Sequence, residues 1–207
     1  MKSPTLGQTP HPSLVELAES ARAVSSALLR VDGDHGDLAW AREALDAVAE
    51  RLASIGSEAD APLVFPGVQQ EPAETRPYYF PGALEPSVHV AVPWMTAEQH
   101  EGRRTGRVRF DLIHEGPPGA AHGGFVAWMF DQAFGQHAVE SDPTGPTHRL
   151  EVTYRRPAPI LRELDYEVRT ERRDGRKLFM AATLRDGDTL LAEAAAIFVG
   201  PKDGRFA

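Results

Sequence analysis

The sequence predicts an α+β protein in which a β-sheet wraps around one long, buried helix. The helix is predicted by a run that starts at Gly123, is almost wholly apolar and meets no proline before Pro143. The sheet is predicted by segments in which apolar and polar residues alternate, as they do along strands that bury one face. Asp174-Gly175 and Asp186-Gly187 separate the last three segments, and such pairs favour the tight turns of antiparallel hairpins.

The chain divides into three parts. Residues 1–60 are expected to hold a disordered tail and a hairpin of two amphipathic helices, because apolar residues recur at helical spacing on either side of a break at 31–37. Residues 61–87 carry six prolines and the aromatic cluster Tyr78-Tyr79-Phe80. We expect an irregular arm there that packs on the next domain or forms part of a substrate-tunnel wall. The α+β domain takes residues 88–200, with strands expected at 88–92, 107–112, 147–154, 164–172, 177–184 and 189–199.

Composition and charge exclude several classes of function. The 207 residues carry a formal net charge of −8, so general affinity for nucleic acid is not expected. The chain has no cysteine, which excludes disulfides, thiolate metal sites and a cysteine nucleophile. No run approaches the roughly 18 apolar residues that a membrane span needs. Residues 1–10 lack the apolar core of a signal peptide, so a cytoplasmic location is expected. The motifs GxGxxG, GxSxG and HExxH are missing, which argues against a nucleotide-binding protein, a serine hydrolase and a zinc protease of the HExxH type.

The loop before the predicted helix has the features of a site for acyl transfer. The segment from His114 reads HEGPPG, and its two prolines and two glycines prevent regular structure. A helix entered through Gly123-Gly124 has unpaired amides at the positive end of its dipole, and these can stabilise an oxygen that becomes an anion. Asp131 lies two turns further along among apolar residues, where a carboxylate needs a hydrogen-bond partner. Amide donors and a base together favour acyl transfer.

These residues resemble one known family. The HEGPPG loop, the step His122-Gly123-Gly124 and an aspartate nine residues after His122 are similar to the hotdog-fold acyl-CoA thioesterases. The branch with an HGG…D…T pattern, which includes the human THEM-type enzymes, is the most similar. The resemblance covers residues 88–199 and is most specific in the loop and the helix. It implies a hotdog fold, an antiparallel sheet around a long helix, preceded here by an N-terminal helical extension.

The resemblance also implies roles for individual residues. The Gly123 amide would polarise the thioester carbonyl, and Asp131 would act as a general base on water or as a nucleophile that gives a mixed anhydride. Thr147, sixteen residues after Asp131, matches the threonine or serine that orients the attacking water, although threonine is also common in strands. His122 is expected to position the loop. His114 matches a polar residue that contacts the thioester or the water in related branches.

Basic residues after the helix are candidates for binding coenzyme A, which is expected as part of the substrate. Arg149, Arg155 and Arg156, with Arg176 and Lys177 further on, form a local basic cluster in an acidic chain. Guanidinium groups match the geometry of phosphates, so this cluster is suited to the coenzyme A phosphates. A solvated strand end is the alternative for the same residues. No metal ion and no redox cofactor is implied.

The residues of the loop and the helix therefore predict an acyl-CoA thioester hydrolase, and the resemblance implies that it works as a homodimer or a dimer of dimers. In the family that it resembles, Gly123 of one subunit would face Asp131 and Thr147 of its partner. Three alternatives remain open. They are a hydrolase of acyl carrier protein thioesters, a non-catalytic protein that binds acyl-CoA or lipid, and a hotdog hydratase or dehydratase, whose paired Asp and His motif is not found in this sequence.

Overall fold

The structure is a computed structural model that describes residues 9–32, 38–56, 88–141 and 145–200. Its helices are α1 (Pro12–Leu28), α2 (Ala39–Ala53) and α3 (Gly123–Ser141), with a short 3₁₀ helix at Leu112–His114. Its strands are β1 (Trp94–His100), β2 (Arg103–Arg109), β3 (Thr147–Tyr154), β4 (Glu163–Asp174), β5 (Lys177–Asp186) and β6 (Thr189–Val199). Among these described residues, no helix combines the length and the apolar content that crossing a membrane requires.

The strands form one antiparallel sheet in the order β1-β2-β4-β5-β6-β3, which leaves β1 and β3 at its edges. Tight turns join β4 to β5 and β5 to β6, at the two Asp-Gly pairs. Gly175 and Gly187 have a φ of +54° there, a conformation that glycine adopts without a steric penalty. Helix α3 lies against one face of the sheet. The prediction of a sheet wrapped around one long helix is therefore confirmed.

The hydrophobic core lies between α3 and the inner face of the sheet. Met129, Phe130 and Phe134 of α3 are completely buried. They pack against strand residues that alternate with exposed neighbours, namely Val108, Leu164, Val168, Leu178, Met180 and Leu184. Each large side chain buried in this way contributes about 1.5–3 kcal/mol to stability. The other face of α3, with Trp128 and Asp131, is only half-buried in the single chain. The helix is thus enclosed on one side and open on the other.

The first strand lies later in the chain than the sequence indicates. The prediction of a strand at 88–92 is wrong, because the Val92 N–H bonds to the carbonyl of His89 at 3.2 Å within a turn. Pro93 then has no N–H with which to continue a ladder. The chain enters the sheet at Trp94, and β1 pairs with β2 along its whole length. β2 also begins and ends earlier than the predicted range 107–112.

The two N-terminal helices differ in how much surface they bury. Val15 and Ala18 of α1 are buried, and α1 packs against the 3₁₀ helix that leads into the loop at 115–122. No residue of α2 is buried, and its apolar side chains, including Leu45, Val48 and Leu52, are exposed. Both helices are present where they are predicted, while their packing as a hairpin and the division into three parts stay predictions. The proline-rich arm lies outside the described residues.

Candidate active site

The loop between the 3₁₀ helix and α3 is closed by short hydrogen bonds. The Gly116 N–H donates to the carbonyl of Ala120 at 2.9 Å, and the Gly119 N–H donates to Glu115 Oε1 at 2.6 Å. Gly119 has a φ of +76°, which favours glycine. A Cβ on Gly116 would lie 2.7 Å from the Cα of His122, so any larger residue would force the two ends of the loop apart. The glycines of HEGPPG therefore bring the start of the loop against its end.

His114 is buried directly before this loop, and its carbonyl accepts from the N–H of His122 at the end of the loop. The residue is 1% exposed and packs edge-on against Phe110 and Phe125. Nδ1 accepts from the Asp111 N–H at 2.8 Å, so Nε2 carries the proton and donates to the carbonyl of Ala91 at 3.1 Å. Burial lowers the pKa of His114 below its ordinary 6.5, against smaller opposing effects of the Ala91 carbonyl and Asp111. Both ring nitrogens are bonded to the backbone in this structure. The contact of His114 with the thioester or the water stays a prediction.

His122 caps the first turn of α3. Its N–H donates to the carbonyl of His114 at 2.8 Å, and its own carbonyl accepts from the N–H groups of Phe125 and Val126. Its ring Nδ1 accepts from the Gly124 N–H at 3.0 Å, which is the hydrogen bond of an N-cap side chain. A Cβ on Gly124 would lie 3.1 Å from Nδ1, so glycine gives the ring the room to approach. His122 therefore satisfies three of the amides at the start of the helix.

The Gly123 N–H is the amide of this first turn that has no acceptor among the described residues. The carbonyl of Gly123 accepts from the Tyr154 hydroxyl at 2.8 Å, and the next N–H is bonded to His122. The peptide unit after the Gly123 Cα is therefore held at its oxygen and at its N–H, and the unit before it is held at the His122 carbonyl, which accepts from Phe125 and Val126. A fixed and unbonded N–H at the start of a helix is a donor suited to an anion, or to an oxygen that becomes one during a reaction.

Asp131 lies on the half-buried face of α3 and is bonded to the edge strand β3. Thr147 Oγ1 donates to Asp131 Oδ1 at 2.7 Å, a length typical of a charge-assisted hydrogen bond. Thr147 is the first residue of β3 and pairs with Phe198 of β6. No hydrogen bond within the described residues reaches Oδ2 of Asp131. The structure thus brings two predicted site residues together within one chain and leaves one carboxylate oxygen available.

The amide and the carboxylate lie apart in one chain. Gly123 and Asp131 are eight residues apart on α3, which corresponds to a rise of about 12 Å along the helix axis. A donor and a base that act on the same carbonyl group each need to lie about 3 Å from the reacting atoms. One chain therefore does not place its own Gly123 amide and its own Asp131 carboxylate at one carbonyl.

The arginines predicted to bind phosphate differ in their partners. Arg149 bonds to Glu151 at 2.6 Å, and Nε of Arg155 bonds to Glu193 at 2.9 Å, so a carboxylate already neutralises each of these cations. The side chain of Arg156 is exposed and makes no ion pair or hydrogen bond within the part of the chain that the structure describes. Of the three, Arg156 is the guanidinium whose charge is available to a ligand.

Two other features of the described residues bear on a metal or ligand site. The described residues contain no group of three or more His, Cys, Asp or Glu side chains that would hold a metal ion. A shallow depression lined by Thr96, Arg107, Asp165 and Arg185 lies on the outer face of the sheet, opposite to α3. Its arginines are already bonded to protein groups, for example Arg107 to Glu163. The loop and α3 therefore remain the candidate site.

Comparisons with known proteins identify the class of this domain. Residues 112–199, which include the loop, α3 and Thr147, match the family described as the acyl-CoA thioesterase N-terminal domain. The acyl-coenzyme A thioesterase THEM4 of Mus musculus is 36% identical over 87 residues, which are 41% of this chain and 37% of the mouse protein. THEM4 of Xenopus laevis is 37% identical over 87 residues, which are 41% of this chain and 39% of that protein. The chain thus spans less than half the length of these relatives.

A solved protein of the thioesterase superfamily is similar to this protein over nearly the whole chain. It is 25% identical, has a TM-score of 0.75 and covers 96% of this chain and 97% of its own. Residues 112–199 therefore match a thioesterase family, and the resemblance to the hotdog-fold thioesterases seen in the loop and the helix is confirmed. The N-terminal helices fall within the part of the chain that this solved protein matches.

Proposed function

We propose that this protein hydrolyses acyl-CoA thioesters to a free acid and coenzyme A. The observation that carries the proposal is that α3 bears both a fixed and unbonded Gly123 N–H and the carboxylate of Asp131, which Thr147 of β3 holds by a hydrogen bond. The matched family supports it, because the match includes all three residues. The relatives named as acyl-coenzyme A thioesterases support the choice of coenzyme A over another thiol.

The start of α3 provides the oxyanion donor. The thioester carbonyl oxygen accepts a hydrogen bond from the Gly123 N–H, and negative charge grows on this oxygen as the carbonyl carbon is attacked. The positive end of the helix dipole lies behind the amide and stabilises that charge. His122 and Tyr154 fix the neighbouring peptide groups beforehand, so little reorganisation is needed at the moment of reaction.

The carboxylate of Asp131 drives the attack. Thr147 occupies Oδ1, and Oδ2 faces the reaction, where it takes a proton from water that adds to the carbonyl carbon. In the other route Oδ2 itself adds to the carbon and gives a mixed anhydride that water then hydrolyses. In both routes a tetrahedral intermediate collapses and the C–S bond breaks, which gives the free acid directly in the first route and the mixed anhydride in the second; water then hydrolyses the anhydride and regenerates Asp131. The thiolate of coenzyme A leaves readily, because a thiol has a pKa of about 8.5.

A complete site requires two copies of the chain. Gly123 and Asp131 of one α3 are about 12 Å apart along the axis, whereas a two-fold axis can place the Gly123 end of one helix beside Asp131 and Thr147 of another. The half-buried face of α3, which carries Trp128 and Asp131, fits a contact of this kind. We therefore propose a homodimer, alone or within a dimer of dimers. A cytoplasmic location stays a prediction of the sequence.

Arg156 is the proposed contact to the phosphates of coenzyme A. Its guanidinium is exposed and unbonded within the described residues, whereas Arg155 is held by Glu193. Arg156→Gln should raise KM for an acyl-CoA roughly tenfold at low salt and leave kcat unchanged, since a charge-assisted hydrogen bond contributes about 1.5–3 kcal/mol. Arg155→Gln is the matched control, with a smaller effect. Equal KM values for the wild-type protein and Arg156→Gln would remove Arg156 from the binding site.

The proposed function is tested by thiol release from a panel of acyl-CoAs with short, long and aromatic acyl groups. Asp131→Asn keeps the size and the Thr147 hydrogen bond but removes the base, so turnover should fall by about 10²–10⁴-fold while binding persists. The control is binding of the same acyl-CoA, measured by calorimetry on both proteins.

The same panel separates the alternatives. Binding without turnover by the wild-type protein would favour the non-catalytic acyl-CoA or lipid carrier. If the protein hydrolyses acyl carrier protein thioesters and no acyl-CoA, the leaving group is the thiol of acyl carrier protein and not coenzyme A. Turnover that Asp131→Asn retains would show that the reaction is catalysed elsewhere.

A further inference from the structure

Tyr154 is a residue of the site that the sequence does not single out. It is the last residue of β3 and stands directly before Arg155, Arg156 and a proline. Its side chain crosses to the start of α3, where the hydroxyl donates to the carbonyl of Gly123 at 2.8 Å. The ring packs on the same residue, since a Cβ on Gly123 would lie 3.3 Å from the Tyr154 ring. Tyr154 is nevertheless 52% exposed, so its contact with Gly123 is not a by-product of core packing.

The peptide unit between Gly123 and Gly124 is held from both of its ends. Tyr154 bonds to its oxygen, and Nδ1 of His122 bonds to its N–H at 3.0 Å. The Gly123 N–H belongs to the preceding peptide unit, whose oxygen, the His122 carbonyl, accepts from the N–H groups of Phe125 and Val126. Because each peptide unit is planar and both units that meet at the Gly123 Cα are held by hydrogen bonds, the position of this Cα and the direction of the Gly123 N–H are fixed together.

We propose that Tyr154 is a positioning residue for the oxyanion donor, and this rests on the proposed function. Its hydroxyl does not touch the thioester; it holds the Gly123 carbonyl and so aims the Gly123 N–H at the place where the carbonyl oxygen of the substrate becomes negative. The effect of a donor on rate depends on its direction, and misplacement by about 1 Å can cost 10²-fold. Loss of the hydroxyl should therefore weaken the transition state more than the bound substrate.

The position of Tyr154 on β3 links the two ends of the site. The same strand begins at Thr147, whose hydroxyl bonds to Asp131, and ends at Tyr154, whose hydroxyl bonds to Gly123. Among the strands that the structure describes, β3 pairs with β6 alone. One edge strand thus orients the carboxylate at one end of its length and the amide donor at the other.

Tyr154→Phe tests this role, because it removes the hydroxyl and keeps the ring. We expect kcat for an acyl-CoA to fall roughly tenfold with little change in KM, since the lost interaction acts in the transition state. The pH profile should keep its shape, because Asp131 is untouched. The Tm should change little, since the hydroxyl lies at an exposed position.

Tyr166→Phe is the matched control. Tyr166 is buried, and its hydroxyl also donates to a backbone carbonyl, that of Thr96 at 2.9 Å. This substitution should lower the Tm and leave kcat unchanged, which is the reverse of the pattern expected for Tyr154→Phe. The same fall in kcat for both variants would reduce the effect at Tyr154 to a general loss of structure.

The amide signals of Gly123 and Gly124 give a readout that does not depend on turnover. In ¹⁵N-labelled protein, Tyr154→Phe should shift these two signals and speed the hydrogen exchange of Gly124. Unchanged signals, or an unchanged kcat in an active enzyme, would overturn the positioning role and leave the proposed function intact. A wild-type protein with no turnover on any thioester would overturn the proposed function, and the amide signals would still decide whether Tyr154 fixes this peptide.

Discussion

Helix α3 carries two ends of one site, and the two ends are built in different ways. At the first turn, where His122 and Gly124 are exposed, the reactive group is a backbone N–H whose direction is set by His122 and Tyr154. Two turns further on, the reactive group is the side chain of Asp131, on a half-buried face and held by the single hydroxyl of Thr147. A backbone donor has to be fixed through its neighbours, whereas a carboxylate can be fixed directly.

The difference predicts how each end responds to substitution. At the carboxylate end, the residues that matter are the ones that carry the chemistry. At the amide end, several residues that do not touch the reacting atoms together fix the direction of the N–H. Gly123 itself contributes only this N–H and the absence of a side chain. Variants that separate geometry from chemistry are therefore most informative at the amide end.

At the amide end, the largest effect is expected for Gly123→Pro compared with Gly123→Ala. Proline is tolerated at the first position of a helix but removes the N–H, so kcat should fall by about 10²–10³-fold, the usual effect of a lost oxyanion donor. Alanine keeps the N–H and adds the same Cβ, which lies 3.3 Å from the Tyr154 ring and displaces it slightly. Its loss should be much smaller. Steady-state thiol release measures both, and equal losses would mean that packing, not the donor, is what Gly123 provides.

A smaller effect is expected at the carboxylate end for Thr147→Val compared with Thr147→Ser. Valine has the same shape and suits a strand, but it cannot donate to Asp131 Oδ1. A hydrogen bond to a charged group contributes about 1.5–3 kcal/mol, so kcat/KM should fall roughly 10- to 100-fold. Serine keeps the hydroxyl and should retain most of the activity. If valine and serine behave alike, Thr147 does not orient Asp131 through its hydroxyl.

The smallest effect concerns His114, which supports the amide end from below. Burial lowers its pKa in the folded protein below 6.5, so between that lowered pKa and 6.5 the unfolded chain binds more protons than the folded one. Stability should therefore decrease as the pH falls below about 6.5. The Tm measured from pH 7 to pH 5 should decrease less in His114→Asn than in the wild-type protein. Parallel curves for the two proteins would contradict this account of His114.

The sequence predicts the strands after α3 well and the first strand poorly, for a physical reason. From Leu164 onward the alternation is regular because one face of each strand packs on α3, and the turns at Gly175 and Gly187 separate the strands clearly. At Trp94–His100 an edge strand has little alternation, and it is defined by its pairing with β2. The alternating valines at 88–92 precede a proline and form a turn.

The candidate site likewise contains residues that the sequence predicts and a residue that it does not. Asp131 and Gly123 are recognisable because a carboxylate in an apolar helix and a glycine pair at its start are local features. The hydrogen bond from Tyr154 to the Gly123 carbonyl joins residues that are 31 positions apart. A tyrosine at the end of a strand has no local sequence feature that predicts this contact. His114 shows the opposite case, in which a polar residue with the expected spacing has both nitrogens bonded to the backbone.

The most direct test of the account is whether the amide end of one chain works with the carboxylate end of another. Asp131→Asn and Gly123→Pro chains, each carrying a different affinity tag, are co-expressed and purified through both tags so that every dimer is mixed. A mixed dimer has one complete site of two, so thiol release should recover to about half of the wild-type rate per dimer. Activity that stays at the level of the two separate variants would contradict a site shared between two copies.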